Sequence, residues 1–294
     1  MIIVIDALNK DRFTDLLDEM FRLRARVFGD RLGWEVDIRD GKEIDNFDNM
    51  DPAYVIGIDE NGYVISCVRA LQTTGPHMLA DVFNAILDGE PPLRSANIWE
   101  STRFCVDTQR LGKSGVANAM SHATCELMIG SLEYARQSGI TDIVTVIDPI
   151  MDRVLKRSNN APYGYVGSTK PMGKVHALAA LLDCSDERIA RVRAFAGITG
   201  DVFASEDYVR ELLDEAKMMT DSRKAAKEGR IIPFHNAVQS RTSVTQEELL
   251  EYCEDQLNSA KGDQDLQAAL SLVFSLLSRP TLAKLIDGAR HDHT

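Results

Sequence analysis

A glutamate and an arginine stand three positions apart in Ile98-Trp99-Glu100-Ser101-Thr102-Arg103-Phe104-Cys105-Val106, a run otherwise suited to a sheet interior. Its aromatic and β-branched residues predict a strand. A charge inside a protein is costly unless it is paired or neutralised by a shifted pKa. Regular alternation puts Ile98, Glu100, Thr102, Phe104 and Val106 on one face and Trp99, Ser101, Arg103 and Cys105 on the other. A β-bulge between Glu100 and Arg103 would bring both to one side, and bulges often lie beside active sites. Two readings follow: a structural ion pair at a sheet edge, or the charged centre of a catalytic site.

Other charges interrupt apolar patterns in the same way. A helix is expected from about Arg12 to Phe28, with Phe13, Leu16, Leu17, Met20, Leu23 and Val27 at helical spacing and Arg24 on their stripe. An arginine there calls for an anionic partner or a ligand, unless it snorkels from the stripe edge. In the strand expected from Gly62 to Leu71, Arg69 shares a face with Tyr63, Ile65, Cys67 and Leu71. Asp45 and Asp48 flank Phe47 in a long loop, 29–51. They are either partners for Arg24 and a second buried arginine or solvated loop carboxylates.

The elements that must carry these residues are legible in outline. Strands are expected at Ile2–Ile5, Ala53–Ile58, Thr141–Ile147, Tyr163–Gly167 and Lys174–Leu182. Asn61-Gly62 marks a hairpin turn. A short helix opens at Met78 and ends near Asp88-Gly89, and longer helices are expected at Val116–Gln137, Ile150–Arg157 and Asp186–Ala196. Thr108 to Ser114 reads as a Gly-containing loop, either a phosphate-type site at a helix start or a plain connection. From Asp201 onward the chain looks helical, at Glu206–Met218, Thr245–Leu257, Leu266–Leu277 and Thr281–Gly288, with a mobile connection at Asp221–Arg230.

Composition narrows the class. The chain has 294 residues, 44% of them hydrophobic and 27% charged, as in a soluble globular protein. A net charge of −12 argues against non-specific nucleic-acid binding and a broadly basic membrane-binding face. The five cysteines form no CxxC pair and the histidines no ligand spacing, so no metal site is expected and the thiols read as reduced and cytoplasmic. No run approaches a membrane span, and Met1 to Asp6 is too short for a signal segment.

In order and spacing, Arg24, Phe28, Trp34, Glu43, Asp45, Phe47, Asp48, Arg69, Met78, Leu79, Phe83 and the Glu-Ser-Thr-Arg-Phe string at 100–104 resemble the N-acyl-homoserine-lactone synthases, the autoinducer synthases of bacterial quorum sensing. The resemblance covers roughly Met1 to Ala196. It implies an N-acetyltransferase-like three-layer α/β/α sandwich with a twisted mixed sheet, as a domain of residues 1–200 followed by C-terminal helices at 201–294. It implies two substrates and no cofactor: S-adenosylmethionine, and an acylated acyl carrier protein or acyl-coenzyme A. Glu100 and Arg103 then become the catalytic candidates, Glu100 toward the amine and Arg103 toward the substrate carboxylate. Arg24, Arg69, Asp45 and Asp48 become a buried network, and Phe28, Trp34, Phe83 and Phe104 complete the adenosylmethionine pocket.

The same resemblance suggests an acyl-chain pocket of Leu127, Val144, Thr145 and Val146, with Thr145 either at a position where relatives favouring 3-substituted chains often carry threonine or a threonine placed there for β-propensity alone. Arg153, Lys156 and Arg157, beside Lys170 and Lys174, form either a docking patch for the acidic carrier protein or an ordinary solvated helix face. Leu272, Val273, Leu276 and Leu277 give the extension an apolar face for self-association or a partner. Two competing readings are another coenzyme A-dependent N-acyltransferase and a non-catalytic sensor or scaffold on the same fold.

Overall fold

The computed structural model describes residues 1–113, 118–172 and 175–227, with 219–227 described by backbone alone. The helices expected beyond 227, including the apolar face at 272–277, lie outside the described residues.

Seven strands form one mixed sheet in the order β1-β4-β5-β6-β7-β9-β8. They are β1 (Ile2–Ile5), β4 (Ala53–Ile58), β5 (Val64–Gln72), β6 (Ile98–Val106), β7 (Asp142–Ile147), β8 (Gly164–Met172) and β9 (Val175–Asp183). Only β6 and β7 run parallel among these neighbours. On one face lie α1 (Thr14–Arg24) and the short α2 (Met78–Asp81). On the other lie α4 (Ala119–Gln137), α5 (Pro149–Arg157) and α6 (Asp186–Ala196). This is the expected three-layer sandwich.

The helix expected to reach Phe28 changes pitch after Arg24 into a π-helical turn, Ala25–Arg31. Residues 29–51 are more ordered than a plain loop. A two-residue hairpin joins β2 (Ile38–Arg39) to β3 (Lys42–Glu43), and a 3-10 turn follows at Asn46–Asn49. In place of the Gly-containing loop, α3 occupies Thr108–Lys113.

Two irregularities in the sheet bear on the site. A bulge is present, but it sits further along β6 than the interval between Glu100 and Arg103 expected from the sequence: pairing is regular from Glu100 to Thr102, then Cys67 pairs with Cys105 and Arg69 with Thr102, so Arg103 or Phe104 is supernumerary in β6. Arg103 takes the left-handed conformation, with φ 57°. That is unusual for a side chain without glycine's freedom, and it reverses the alternation of β6. Beyond the bulge Cys105 faces α1, while Phe104 and Val106 join the opposite cluster with Ile65 and Ala123. The second irregularity is that β6 pairs with β7 only over Ile98–Ser101. Residues 102–106 have no β7 partner in that register, so the two parallel strands part at the middle of the sheet.

The boundary expected at 200 falls inside a continuously packed region. Ile2 donates its N–H to the Val202 carbonyl at 2.7 Å and accepts from Ala204 N–H at 2.8 Å, which covers the free edge of β1. Glu206 then opens α7 (Glu206–Lys227) and accepts from Asn9 at 3.0 Å and Arg12 at 2.9 Å. Val209 is buried among Ile3, Ile5, Phe13 and Val64. The backbone of α7 is helical through Lys227, so 221–227 is not the connection expected there, and 228–230 lie outside the described residues.

This packing predicts that ending the chain at Gly200 strips β1 of its edge partners and removes Val209 from the core. Unpaired buried backbone groups cost about 1–3 kcal/mol each, so the melting temperature should fall by about 5–10 °C or more. Thermal denaturation followed by circular dichroism checks this, and an unchanged transition would show that 201–227 adds nothing to the fold.

Candidate active site

Arg24 is buried because α1 delivers it there: Leu16, Met20, Leu23 and Arg24 share the covered stripe of that helix. Removing a guanidinium from water costs several kcal/mol unless ionised partners surround it. Its Nε donates to Glu43 at 2.5 Å, and its Nη1 and Nη2 form a fork on Asp48 at 2.7 and 2.9 Å. Arg69, equally buried on β5, forks onto Asp45 at 2.5 and 3.0 Å, shares Asp48 at 2.7 Å and donates from Nε to Thr102 Oγ1 at 3.0 Å. Arg103 donates from Nη2 to Glu43 at 2.9 Å and to Asp45 at 2.8 Å. Three guanidiniums and three carboxylates thus close on one another without net charge.

The segment that supplies the carboxylates is shaped by the same groups. Asp45 Oδ1 accepts from Phe47 N–H at 2.9 Å, and Asp48 Oδ2 accepts from Asp45 N–H at 2.8 Å. That reciprocal capping explains the three-residue spacing. The Tyr54 hydroxyl also donates to Asp48, at 2.7 Å. Burial pushes the Asp48 carboxyl up, but Arg24 and Arg69 outweigh it and hold the group well below the ordinary carboxylate range. Arg24 is held charged, its pKa raised by Asp48 and Glu43 against the opposing effect of burial.

Glu100 stands apart from this network. The ion pair with Arg103 weighed from the sequence does not form, because Arg103 turns to Glu43 and Asp45. The Glu100 carboxylate is fully buried and accepts the backbone N–H groups of Met78 and Leu79, both at 2.6 Å. It caps the start of α2 from the neighbouring strand. The bulge still brings the two residues to a common place, since Arg103 Nη1 lies 3.7 Å from the Met78 sulfur. Burial pushes the Glu100 carboxyl up to about 7, with the two N–H donors offsetting part of the effect.

Phe28 is buried and its ring lies 5.1 Å from that of Trp34, which is 39% exposed. The Arg103 guanidinium sits 5.5 Å from the Phe28 ring centre. Phe83 packs with Phe47, Leu71 and Met78 beside the network. Phe104 does not join them, because the bulge turns it toward Ala123 and Leu111 on the other face. The four expected acyl-pocket residues also divide between faces. Val144 and Val146 pack with Leu79, Ile86 and Leu87, whereas Leu127 packs under α4 with Ile143 and Ile147. The Thr145 hydroxyl donates to the Ser101 carbonyl at 2.9 Å, where β6 and β7 part.

Of the expected docking residues, Arg153 and Arg157 are exposed on α5. Lys156 is paired with Asp152 at 2.7 Å, and the neighbouring Lys170 with Asp88 at 2.5 Å. Lys174 lies outside the described residues. Glu43, Tyr54 and Thr102 also belong to the network; Glu43 and Thr102 entered the sequence reading only as part of the resemblance, without a role, and Tyr54 not as a site residue. Glu43 stands in a polar stretch with no apolar period to announce its burial. Tyr54 and Thr102 look like ordinary strand residues.

The family model described as autoinducer synthase matches residues 8–192. The acyl-homoserine-lactone synthase of Agrobacterium fabrum is 38% identical over 172 residues, covering 58% of this chain and 81% of the relative. That of Aeromonas hydrophila is 33% identical over 200 residues, covering 67% and 92%. Among solved structures, the coenzyme A-dependent acyl-homoserine lactone synthase MesI superposes with a TM-score of 0.60 at 28% identity, over 70% of this chain and all (100%) of that one. LasI, another acyl-homoserine-lactone synthase, gives 0.57 at 31% identity, over 66% and 95%. These matches define the class as an acyltransferase enzyme. The chain belongs to the autoinducer synthase family, the acyl-homoserine-lactone synthases.

Two outcomes test the electrostatics. Arg24→Ala strands Glu43 and Asp48 without their shared cation, and breaking a buried pair from one side costs about 3–5 kcal/mol. Urea denaturation should show that loss. For Glu100, the folded pKa of about 7 lies above the ordinary 4.5, so the folded chain holds this proton more tightly than the unfolded one. Its contribution to stability is therefore greatest below the ordinary value and declines as pH rises toward 7. Relative to wild type, Glu100→Gln should gain on the order of 2–3 kcal/mol between pH 4 and pH 8, measured by urea denaturation at both. A constant difference would show that Glu100 has an ordinary pKa.

Proposed function

We propose that this enzyme joins S-adenosylmethionine to an acyl thioester and releases an N-acyl-homoserine lactone and methylthioadenosine. The observation that carries the reading is the disposition of Arg103. Two of its nitrogens are committed to Glu43 and Asp45, while Nη1 meets only the Met78 sulfur among the described residues, next to the Phe28–Trp34 pair. A guanidinium corner held only by a thioether, over the Phe28 ring that in turn packs on Trp34, suits a substrate with a carboxylate at one end and a sulfonium-bearing adenosine at the other.

In the first step the substrate amine, deprotonated, attacks the thioester carbonyl and the thiol departs. In the second, the methionine carboxylate attacks the carbon bonded to sulfur. The C–S bond breaks, methylthioadenosine leaves and the five-membered ring closes. Glu100, its carboxyl near 7, is matched in pKa to accept the amine proton, directly or through water. Its grip on Met78 and Leu79 also holds α2 against the network. The parting of β6 and β7 after Ser101 leaves strand backbone available to a linear donor and to the thioester oxyanion.

Both donor classes have support. MesI is named as coenzyme A-dependent. Arg153 and Arg157, four residues apart on the exposed side of α5, suit an acidic carrier protein instead. A cytoplasmic location is part of the same proposal.

Incubation with S-adenosylmethionine and acyl donors of each class, followed by mass spectrometry, should detect acyl-homoserine lactone and methylthioadenosine together. Neither product with either class would overturn the reading. Glu100→Gln should cut lactone formation by about 10²–10⁴-fold; near-normal turnover removes it from the proton transfer. Charge reversal at Arg153 and Arg157 should raise KM for a carrier-bound donor and spare small thioesters, and an unchanged KM argues against the patch.

A further inference from the structure

Glu43 is the least expected member of the charge network and the one whose geometry is most informative. It ends a two-residue strand in a polar segment, yet its side chain is fully buried. Its carboxylate lies between two arginines. Oε2 accepts from Arg24 Nε at 2.5 Å, and Oε1 accepts from Arg103 Nη2 at 2.9 Å and Nε at 3.1 Å. Arg24 is immobilised by its own fork on Asp48. Arg103 has no such fork elsewhere, and its side chain is 10% exposed where those of Arg24 and Arg69 are 0%.

Arg103 also stands on backbone in the left-handed region. A left-handed residue in a bulge is strained, and the conformation persists only where surrounding contacts over-determine it. Glu43 supplies the side-on grip on the Nε–Nη2 edge that does so, with Asp45 adding one bond to Nη2 at 2.8 Å. The opposite corner, Nη1, is left toward Met78 and the Phe28–Trp34 side.

We infer that Glu43 is a positioning residue: it locks Arg103 edge-on so that Nη1 is the atom that meets the carboxylate of the methionine moiety. The inference rests on the function proposed above and assigns the recognition of that one charged group to a residue that does not touch the substrate. Glutamine at 43 keeps the size but offers a single acceptor oxygen and turns an amide N–H₂ toward a guanidinium, so it cannot hold both arginines.

The test compares binding of S-adenosylmethionine with that of its decarboxylated analogue, by calorimetry, in wild type and Glu43→Gln. In the variant, affinity for S-adenosylmethionine should fall about tenfold or more, while the analogue binds within about twofold of its wild-type affinity. In turnover, KM for S-adenosylmethionine should rise with KM for the acyl donor unchanged. Equal weakening of both nucleosides would assign Glu43 a merely structural role, and unchanged affinity for both would remove it from substrate recognition. If the glutamine variant does not fold, Glu43→Asp retains the charge but withdraws it from Arg103, and the same selective loss is expected. Failure of the wild-type protein to bind S-adenosylmethionine would instead count against the proposed reaction itself.

Discussion

Hydration lost by three arginines is the constraint on which the rest of this structure depends. Arg24 and Arg69 are fully covered and Arg103 nearly so. Each would be prohibitively unstable in that position alone. The segment from 38 to 49 therefore has to fold back over α1 and the β5–β6 pair, because it carries Glu43, Asp45 and Asp48. Its hairpin and capped 3-10 turn are the means of bringing three carboxylates to three guanidiniums. Forks such as Arg24 on Asp48 add directional specificity that a simple apolar contact would lack.

The bulge in β6 converts that static balance into a site. By placing one extra residue in the strand it lets Glu100 and Arg103 approach the same methionine from different directions. It also moves Cys105 to the α1 face and Phe104 away from it. The cost is a non-glycine residue held in the left-handed region, a strain that is concentrated where a side chain must be aimed. Glu100 contributes in a second way, as the carboxylate cap of α2, so that the short helix, the central strand and the arginine network are mechanically continuous.

Much of this was legible beforehand because the relevant signal was a contradiction. Arg24 on an apolar helical stripe, Arg69 in an apolar strand row and Glu100 in a sheet interior each break a hydrophobic pattern, and each is buried and partnered. Two opposed charges that must meet imply a bulge in β6, although its position, after Thr102 and not between Glu100 and Arg103, came from the pairing with β5. The residues left without a role had no such contradiction to mark them. Glu43 lies among polar neighbours, Tyr54 and Thr102 look like ordinary strand residues, and the partner of Arg103 depends on contacts some 60 positions away in the chain. Of the acyl-pocket residues, Val144 and Val146 share one face of β7, whereas Leu127 belongs to α4 on the opposite side of the sheet, a separation that only the layering decides.

By itself the sequence determined the main strands and helices, the burial of Arg24, Arg69 and Glu100, and the family, since periodicity and spacing are local properties that survive without coordinates. Only the tertiary structure decided which charge meets which. It set Arg103 against Glu43 and Asp45, gave Glu100 to α2, and carried the chain past position 200 onto the edge of β1. Pairing among several buried ions is chosen by distance and direction in three dimensions, and a linear pattern specifies neither.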